Sequence, residues 1–137
     1  MIIVKKLEWM REYINAVSHL LPNLKKLKKI SSKTGNKERW QHSHGLITYY
    51  DQKNYRITLY ITYHDMISDK IKEYSTIDLL QYLAHELSHL EHWDHTPNHK
   101  NLECIMLSIF MTMLSQDGYI SEEEELKNGL FYEREEE

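Results

Sequence analysis

His85, Glu86, Leu87, Ser88 and His89 stand in series, and His95 follows after five further residues. On an α-helix, residues four apart share a face and lie about 6 Å apart along the axis, so two imidazoles at that spacing can reach one Zn²⁺ at about 2.0–2.1 Å. Glu86 comes one position after the first histidine, so its carboxylate projects beside the pair, towards a water rather than towards the metal. Zinc lowers the pKa of a bound water towards about 7, and a carboxylate beside it takes the proton as the water attacks a carbonyl. The pattern predicts a zinc hydrolase site with His85 and His89 as ligands and Glu86 as general base.

A catalytic zinc site takes three protein ligands and leaves one position open, and His92, His95 and His99 compete for the third place. On a continuous helix His92 would stand about 10 Å beyond His85, too far to share an ion with it. His95 is better placed, because Asp94, Thr96 and Pro97 punctuate the chain: Thr96 can cap a new helix and Pro97 suits its first position. His99 then falls in the first turn of that helix, as a reserve ligand or a supporting partner. Glu103, thirteen residues beyond His89, is a further alternative third ligand. His95 is the choice made on spacing.

The elements that must position these residues follow from periodicity. Leu79, Leu80, Leu83, Ala84, Leu87 and Leu90 give a broad apolar stripe to a motif helix over Asp78–His92. Leu102, Ile105, Met106, Ile109, Phe110, Met113 and Leu114 do the same for a core helix over Pro97–Ser115, with Cys104 read as a small core residue on that stripe. Upstream, Leu7, Met10, Tyr13, Ile14, Val17, Leu20 and Leu21 mark a first amphipathic helix that Pro22 interrupts. Leu24, Leu27 and Ile30 fit a short second helix or a strand, and Ser31–Lys37 reads as a loop turning at Gly35–Asn36. Gly45–Tyr50 and Tyr55–Tyr63, rich in Tyr, Ile, Thr and Leu, form a predicted hairpin around Asp51–Asn54. Its edge strand could hold an extended peptide over the metal. His42 and His44 precede it and read as a loop pair; His19 and His64 receive no role. Tyr82 and Tyr119 are candidate donors to a developing oxyanion. Ser121 can cap a short helix opened by glutamates.

The run Leu83–Cys104, LAHELSHLEHWDHTPNHKNLEC, resembles the active-site segment of the SprT-like, YgjP-like and related WLM-type metallopeptidases. In those families HELxH is followed by five residues and a third histidine in an Asn-His-Ser-like context, here Asp94, His95 and Thr96. Arg39, Trp40 and the strand-like segments after them resemble the sheet those families place before the motif helix. The chain departs from the pattern at His99, where a large aromatic is common, and at Gln41, His42 and Ser43, where Gly-Ser-Cys follows the Arg-Trp pair. Metzincins are a weaker match, since His92 stands where their HExxHxxGxxH requires glycine. The resemblance implies a compact zincin-like α+β domain with an N-terminal helix, a small antiparallel sheet, the motif helix and a following core helix. It implies a metallopeptidase that hydrolyses peptide bonds of a protein or peptide substrate.

Composition sets the outer bounds. The 137 residues suit one domain, with a basic helical segment over about 1–38, a catalytic core over about 39–115 and an acidic tail over about 121–137. A single cysteine excludes an internal disulfide and an appended zinc ribbon. Met1–Val4 is too short for a signal or anchor and Lys5 and Lys6 follow it, so the expectation is a cytoplasmic protein that does not enter membranes. Net charge is −4, but residues 1–40 carry ten Lys/Arg against three Asp/Glu. That basic segment, with Lys25, Lys26, Lys28, Lys29, Lys33, Lys37 and Arg39, underlies a second reading. In it the chain is a non-catalytic metal-binding or interaction domain that docks nucleic acid or a protein partner. No aromatic interleaves the lysines as a base-stacking platform would require.

Overall fold

Residues 2–4, 7–35 and 44–132 are described by a computed structural model of the protein, which is α+β. Leu7, Met10, Tyr13, Ile14 and Val17 bury one face of helix α1 (Met10–Val17) and its approach. The helix joins strand β1 (Ile3–Val4) to strand β2 (Leu27–Lys33), and the two strands pair in parallel, as a helical crossover permits. Leu27 and Ile30 have helical spacing, yet both are strand residues. Residues three apart on a regular strand face opposite sides; a register shift between Leu27 and Lys29 turns both into the core. That local irregularity decides for strand over helix. The strand also absorbs Ser31–Lys33 from the expected loop, while Asn36 and Lys37 lie outside the described residues.

The hairpin forms as the turn residues predict. Strands β3 (Gly45–Tyr49) and β4 (Tyr55–Tyr60) pair antiparallel, and the Asp51 carboxylate accepts from the Lys53 and Asn54 N–H groups to close the turn. Sheet order is β1-β2-β4-β3, so the antiparallel hairpin is one half of a mixed sheet whose other contacts are parallel, and β3 is an edge strand among the described residues. The long second strand expected over Tyr55–Tyr63 breaks at Ile61. Beyond it, β5 (Thr62–Asp65) and β6 (Lys70–Glu73) make a separate two-stranded sheet.

Helix α2 (Thr76–Ser88) carries the histidine motif and packs on β3, β4 and helix α3 (Pro97–Gln116). Ser75 caps it, its hydroxyl accepting from the Asp78 N–H at 3.1 Å. It ends at Ser88 with His89 as C-cap, rather than at His92. The reason is tertiary: Glu91 is drawn off to accept from the Asn23 backbone and side-chain N–H groups at 2.8 and 3.0 Å. Thr96 caps α3 with Pro97 in its first turn, as expected. Cys104 corrects the reading of it as core, because it is exposed. Apolar residues spread around more of α3 than its neighbours cover, and the buried face is His99, Glu103, Met106, Phe110 and Leu114.

Within the segment read as an acidic tail, helix α4 (Glu122–Asn128) is capped by Ser121 and buries Glu125. The Glu125 carboxylate accepts from the Thr76 N–H at 2.8 Å, the Thr76 hydroxyl at 2.6 Å and the Tyr119 hydroxyl at 2.9 Å, so it grips the N-terminus of α2. Tyr132 stacks on Trp9 at 4.3 Å and, like Tyr13, donates to Asp117 at the end of α3. No helix among the described residues is long and apolar enough to cross a membrane.

Removing the Glu125 carboxylate would leave the two buried donors of Thr76 without that partner and release the half-buried Tyr119 hydroxyl. Glu125→Ala is expected to lower unfolding free energy by about 3 kcal/mol in a urea titration, with the loss of helix α2 as its structural signature.

Candidate metal centre

α2 delivers His85, Glu86 and His89 to one side of the molecule, and the 89–96 turn brings His95 back over them. His85 Nε2 and His95 Nε2 stand 3.2 Å apart, and one nitrogen from each of His85, His89 and His95 lies within 4.8 Å of the others. These three side chains could hold a metal ion. His85 Nδ1–H donates to Glu103 Oε1 at 2.5 Å, which sets the tautomer and leaves Nε2 as a lone pair. His89 Nδ1–H donates to the His92 carbonyl at 3.2 Å and is fixed in the same sense.

A second grouping, His85, His99 and Glu103, also has ligand atoms in reach of one another. Its members are also hydrogen-bonded to one another. His99, only 2 % exposed, donates from Nε2 to the His85 carbonyl at 3.0 Å, and Glu103 holds His85 Nδ1. Both therefore meet His85 away from Nε2, Glu103 at Nδ1 and His99 at the main-chain carbonyl. His85, His99 and Glu103 are at the same time a second grouping that could hold a metal ion. His92 lies beyond the end of α2 and enters only through its carbonyl.

Burial keeps His85, His89 and His99 below the ordinary imidazole range, so these rings are neutral near pH 7, the form that binds metal. Glu86 is 5 % exposed, and burial first, then the negative charge of Glu103, push its carboxyl up to about 7. Strand β3 makes this burial. A Cβ on Gly45 would sit 2.9 Å from Leu59 Cδ2, 3.0 Å from the Thr58 carbonyl and 3.4 Å from Glu86 Cγ. Only a glycine lets the edge strand lie this close to the carboxylate.

The residues face a cleft of about 810 Å³, within the usual range of ligand sites. β3 lines it through Gly45, Leu46 and Ile47, α2 through Gln81, Tyr82, His85 and Glu86, and Trp93 joins them, stacked with Tyr49 and tilted against Tyr55. His44 and Tyr82 line the same cleft, their rings stacked at 4.3 Å. Tyr82 thus remains a donor candidate, whereas Tyr119 is engaged with Glu125. His44, read from sequence as a loop residue without a role, was missed. Spacing offers His99 as a reserve ligand or supporting partner and Glu103 as an alternative ligand, but it does not show that the two meet the same residue, Glu103 at the ring of His85 and His99 at its carbonyl. Arg39, Trp40 and His42 lie outside the described residues, and His64 pairs with Asp69 in the second hairpin. Comparison with protein-family models, with curated proteins and with solved structures found no match.

Two outcomes follow from this geometry. Glu103→Gln should weaken divalent-metal binding by about 10–100-fold in a chelator competition, because His85 loses its orienting anion. In metal-stripped protein, folded Glu86 keeps its proton to about pH 7 while the unfolded side chain loses it near its ordinary value, 4.5. Stability should therefore fall as pH rises from about 4.5 to 7, and Glu86→Gln should flatten that slope in denaturant titrations across the window.

Proposed function

We propose that the protein is a zinc-dependent metallopeptidase of the SprT-like kind. The observation that carries this reading is the 3.2 Å approach of His85 Nε2 and His95 Nε2. It is close to the separation of about 3.3 Å between two ligand atoms in a tetrahedral site with bonds of about 2.0–2.1 Å. An all-nitrogen set of three with one side open to a cleft suits a catalytic zinc better than the oxygen-rich cages of calcium or magnesium. When bound there, zinc would polarise a substrate carbonyl and acidify a neighbouring water.

Glu86 is the proton carrier. Its carboxylate takes a proton from the attacking water as the water oxygen bonds to the carbonyl carbon, and returns it to the amine nitrogen as the C–N bond breaks. Burial raises the proton affinity of this carboxylate, which favours its role as the carrier.

The edge strand supports a peptide as substrate. His44 and Tyr50 make their backbone bonds to Tyr60 and Asn54, and the antiparallel alternation then turns the N–H and C=O groups of Gly45, Ile47 and Tyr49 away from β4. Among the described residues no backbone group pairs with them, which suits an extended chain laid along the cleft, at main-chain level and with little sequence demand. In antiparallel pairing, the substrate residues on the N-terminal side of the scissile bond run towards Tyr49 and Trp93, which are 66 % and 50 % exposed. Cleavage-site profiling on a peptide library should show an aromatic or large apolar preference about two to four residues before the cut.

The direct test is turnover of an unfolded protein by chains loaded with one zinc each. Glu86→Gln should keep the metal and lose at least about 100-fold in rate, and His95→Ala should lose metal affinity. Fully loaded wild type that cleaves neither unfolded protein nor the library would sink the peptidase reading and leave a metal-binding domain.

A further inference from the structure

The chemistry of the cleft leaves one requirement unassigned. When water adds to a peptide carbonyl, negative charge gathers on the carbonyl oxygen, and a hydrogen-bond donor already aimed at that position lowers the barrier most. Among the described residues, the polar side chains lining the cleft and able to donate are His44, Gln81, Tyr82, Trp93 and Lys100, besides the metal-facing histidines. Lys100 is largely exposed and leans towards Glu103. Gln81 is exposed, with no contact that fixes it in one orientation among those described. A donor that has to be ordered at the moment of reaction contributes little.

His44 differs from these. Its ring stacks flat on Tyr82, with centroids 4.3 Å apart and planes 7° from parallel. Its Nδ1 is 2.7 Å from the hydroxyl of Tyr74, a residue that is itself buried. Phenol is the stronger acid and imidazole the stronger base, so the Tyr74 O–H donates to Nδ1, and the proton of the neutral ring sits on Nε2. An exposed histidine at the start of an edge strand has no structural need for two such restraints. Its backbone position adds the third constraint: the next residue, Gly45, lies against the side chain of Glu86. The imidazole is therefore anchored on α2 through Tyr82, one turn before Glu86, and among the described residues its Nε2–H is the donor left over in the cleft.

We propose that His44 is a catalytic residue, whose Nε2–H donates to the substrate carbonyl oxygen as charge develops there, with Tyr74 and Tyr82 as positioning residues. The proposal rests on the peptidase reading and adds to it the donor to the carbonyl oxygen. No proton need leave His44 in the step. The bond it makes strengthens as the carbonyl oxygen becomes an anion and weakens again when the carbonyl reforms.

The test uses the zinc-loaded full chain with two probes of one sequence, a cleavable peptide and its phosphinic analogue, which mimics the tetrahedral oxyanion. His44→Ala is expected to lower kcat about 100-fold with KM changed less than about threefold, and to weaken the phosphinic peptide by about the same 100-fold in calorimetry. On a Glu86→Gln background it should alter binding of the cleavable peptide by less than about threefold, because ground-state binding does not use the donor. His44→Gln keeps an N–H donor and should recover about tenfold of both losses. Tyr74→Phe should lower kcat by about tenfold at unchanged KM, a split that loss of packing alone would not give. Zinc content and melting temperature are read for each variant, and His44→Gln decides if His44→Ala fails to fold. Phosphinic-peptide affinity within about threefold of wild type in folded, zinc-loaded His44→Ala would overturn the role of His44 while wild-type turnover keeps the peptidase reading. A Tyr82→Phe variant losing as much as His44→Ala would overturn it in favour of that hydroxyl. Fully loaded wild type that turns over no peptide would overturn both.

Discussion

The arrangement of the candidate centre depends on how α3 grips α2 at His85. Glu103 holds the Nδ1 side of the ring at 2.5 Å, and His99 holds the carbonyl of the same residue at 3.0 Å. Two bonds to one residue from successive turns of α3 fix the translation and the rotation of α2 at the point where the motif begins. Both supporting side chains are buried, which shields the two bonds in part from water. With His85 fixed, Nε2 can face only towards the cleft. The short turn from His89 to Thr96 then returns His95 to within 3.2 Å of it, and the Thr96 cap ties that turn to the first turn of α3.

Burying Glu86 is unfavourable for its charged form. β3 passes close to the side chain at Gly45, where an added Cβ would sit 3.4 Å from Glu86 Cγ. A lysine or arginine beside the carboxylate would stabilise the ion and hold it permanently deprotonated. Desolvation with the neighbouring Glu103 charge does the reverse and brings its titration to about 7. The same edge strand thus shapes the electrostatics of the carboxylate, turns backbone groups away from β4 and carries His44 at its start.

The ends of the helices are secured from outside the motif. Glu125 takes the first N–H of α2, Glu91 ties its far end to the turn before β2, and Asp117 at the end of α3 is held by Tyr13 and Tyr132. Glu125 is the buried one of these, and a buried, hydrogen-bonded carboxylate stabilises little in net terms but is costly to disrupt, so it specifies one placement of α2 against others. The glutamate-rich composition of residues 121–125 concealed this, because one buried glutamate among four looks no different in sequence from its exposed neighbours.

What the sequence determined by itself was everything that hydrogen bonding and periodicity settle within a few residues. Helical spacing put His85, Glu86 and His89 together, Ser121 and Thr96 marked helix starts, and Asp51–Asn54 marked the hairpin turn. The tertiary structure alone decided the rest. Leu27 and Ile30 share a face only through the irregular register of β2 against β4, and Cys104 is exposed because neighbouring elements cover one side of α3. The clasp of Glu103 on His85 spans 18 positions, that of Tyr74 on His44 spans 30, and that of Glu125 on Thr76 spans 49. Contacts over such separations are set by the packing of whole elements against a common core, which no local pattern encodes. The motif could therefore be read as a candidate set of ligands and a base, while the contacts of Glu103 and His99 with His85, the approach of Gly45 to Glu86 and the seat of His44 between Tyr74 and Tyr82 came only with the fold.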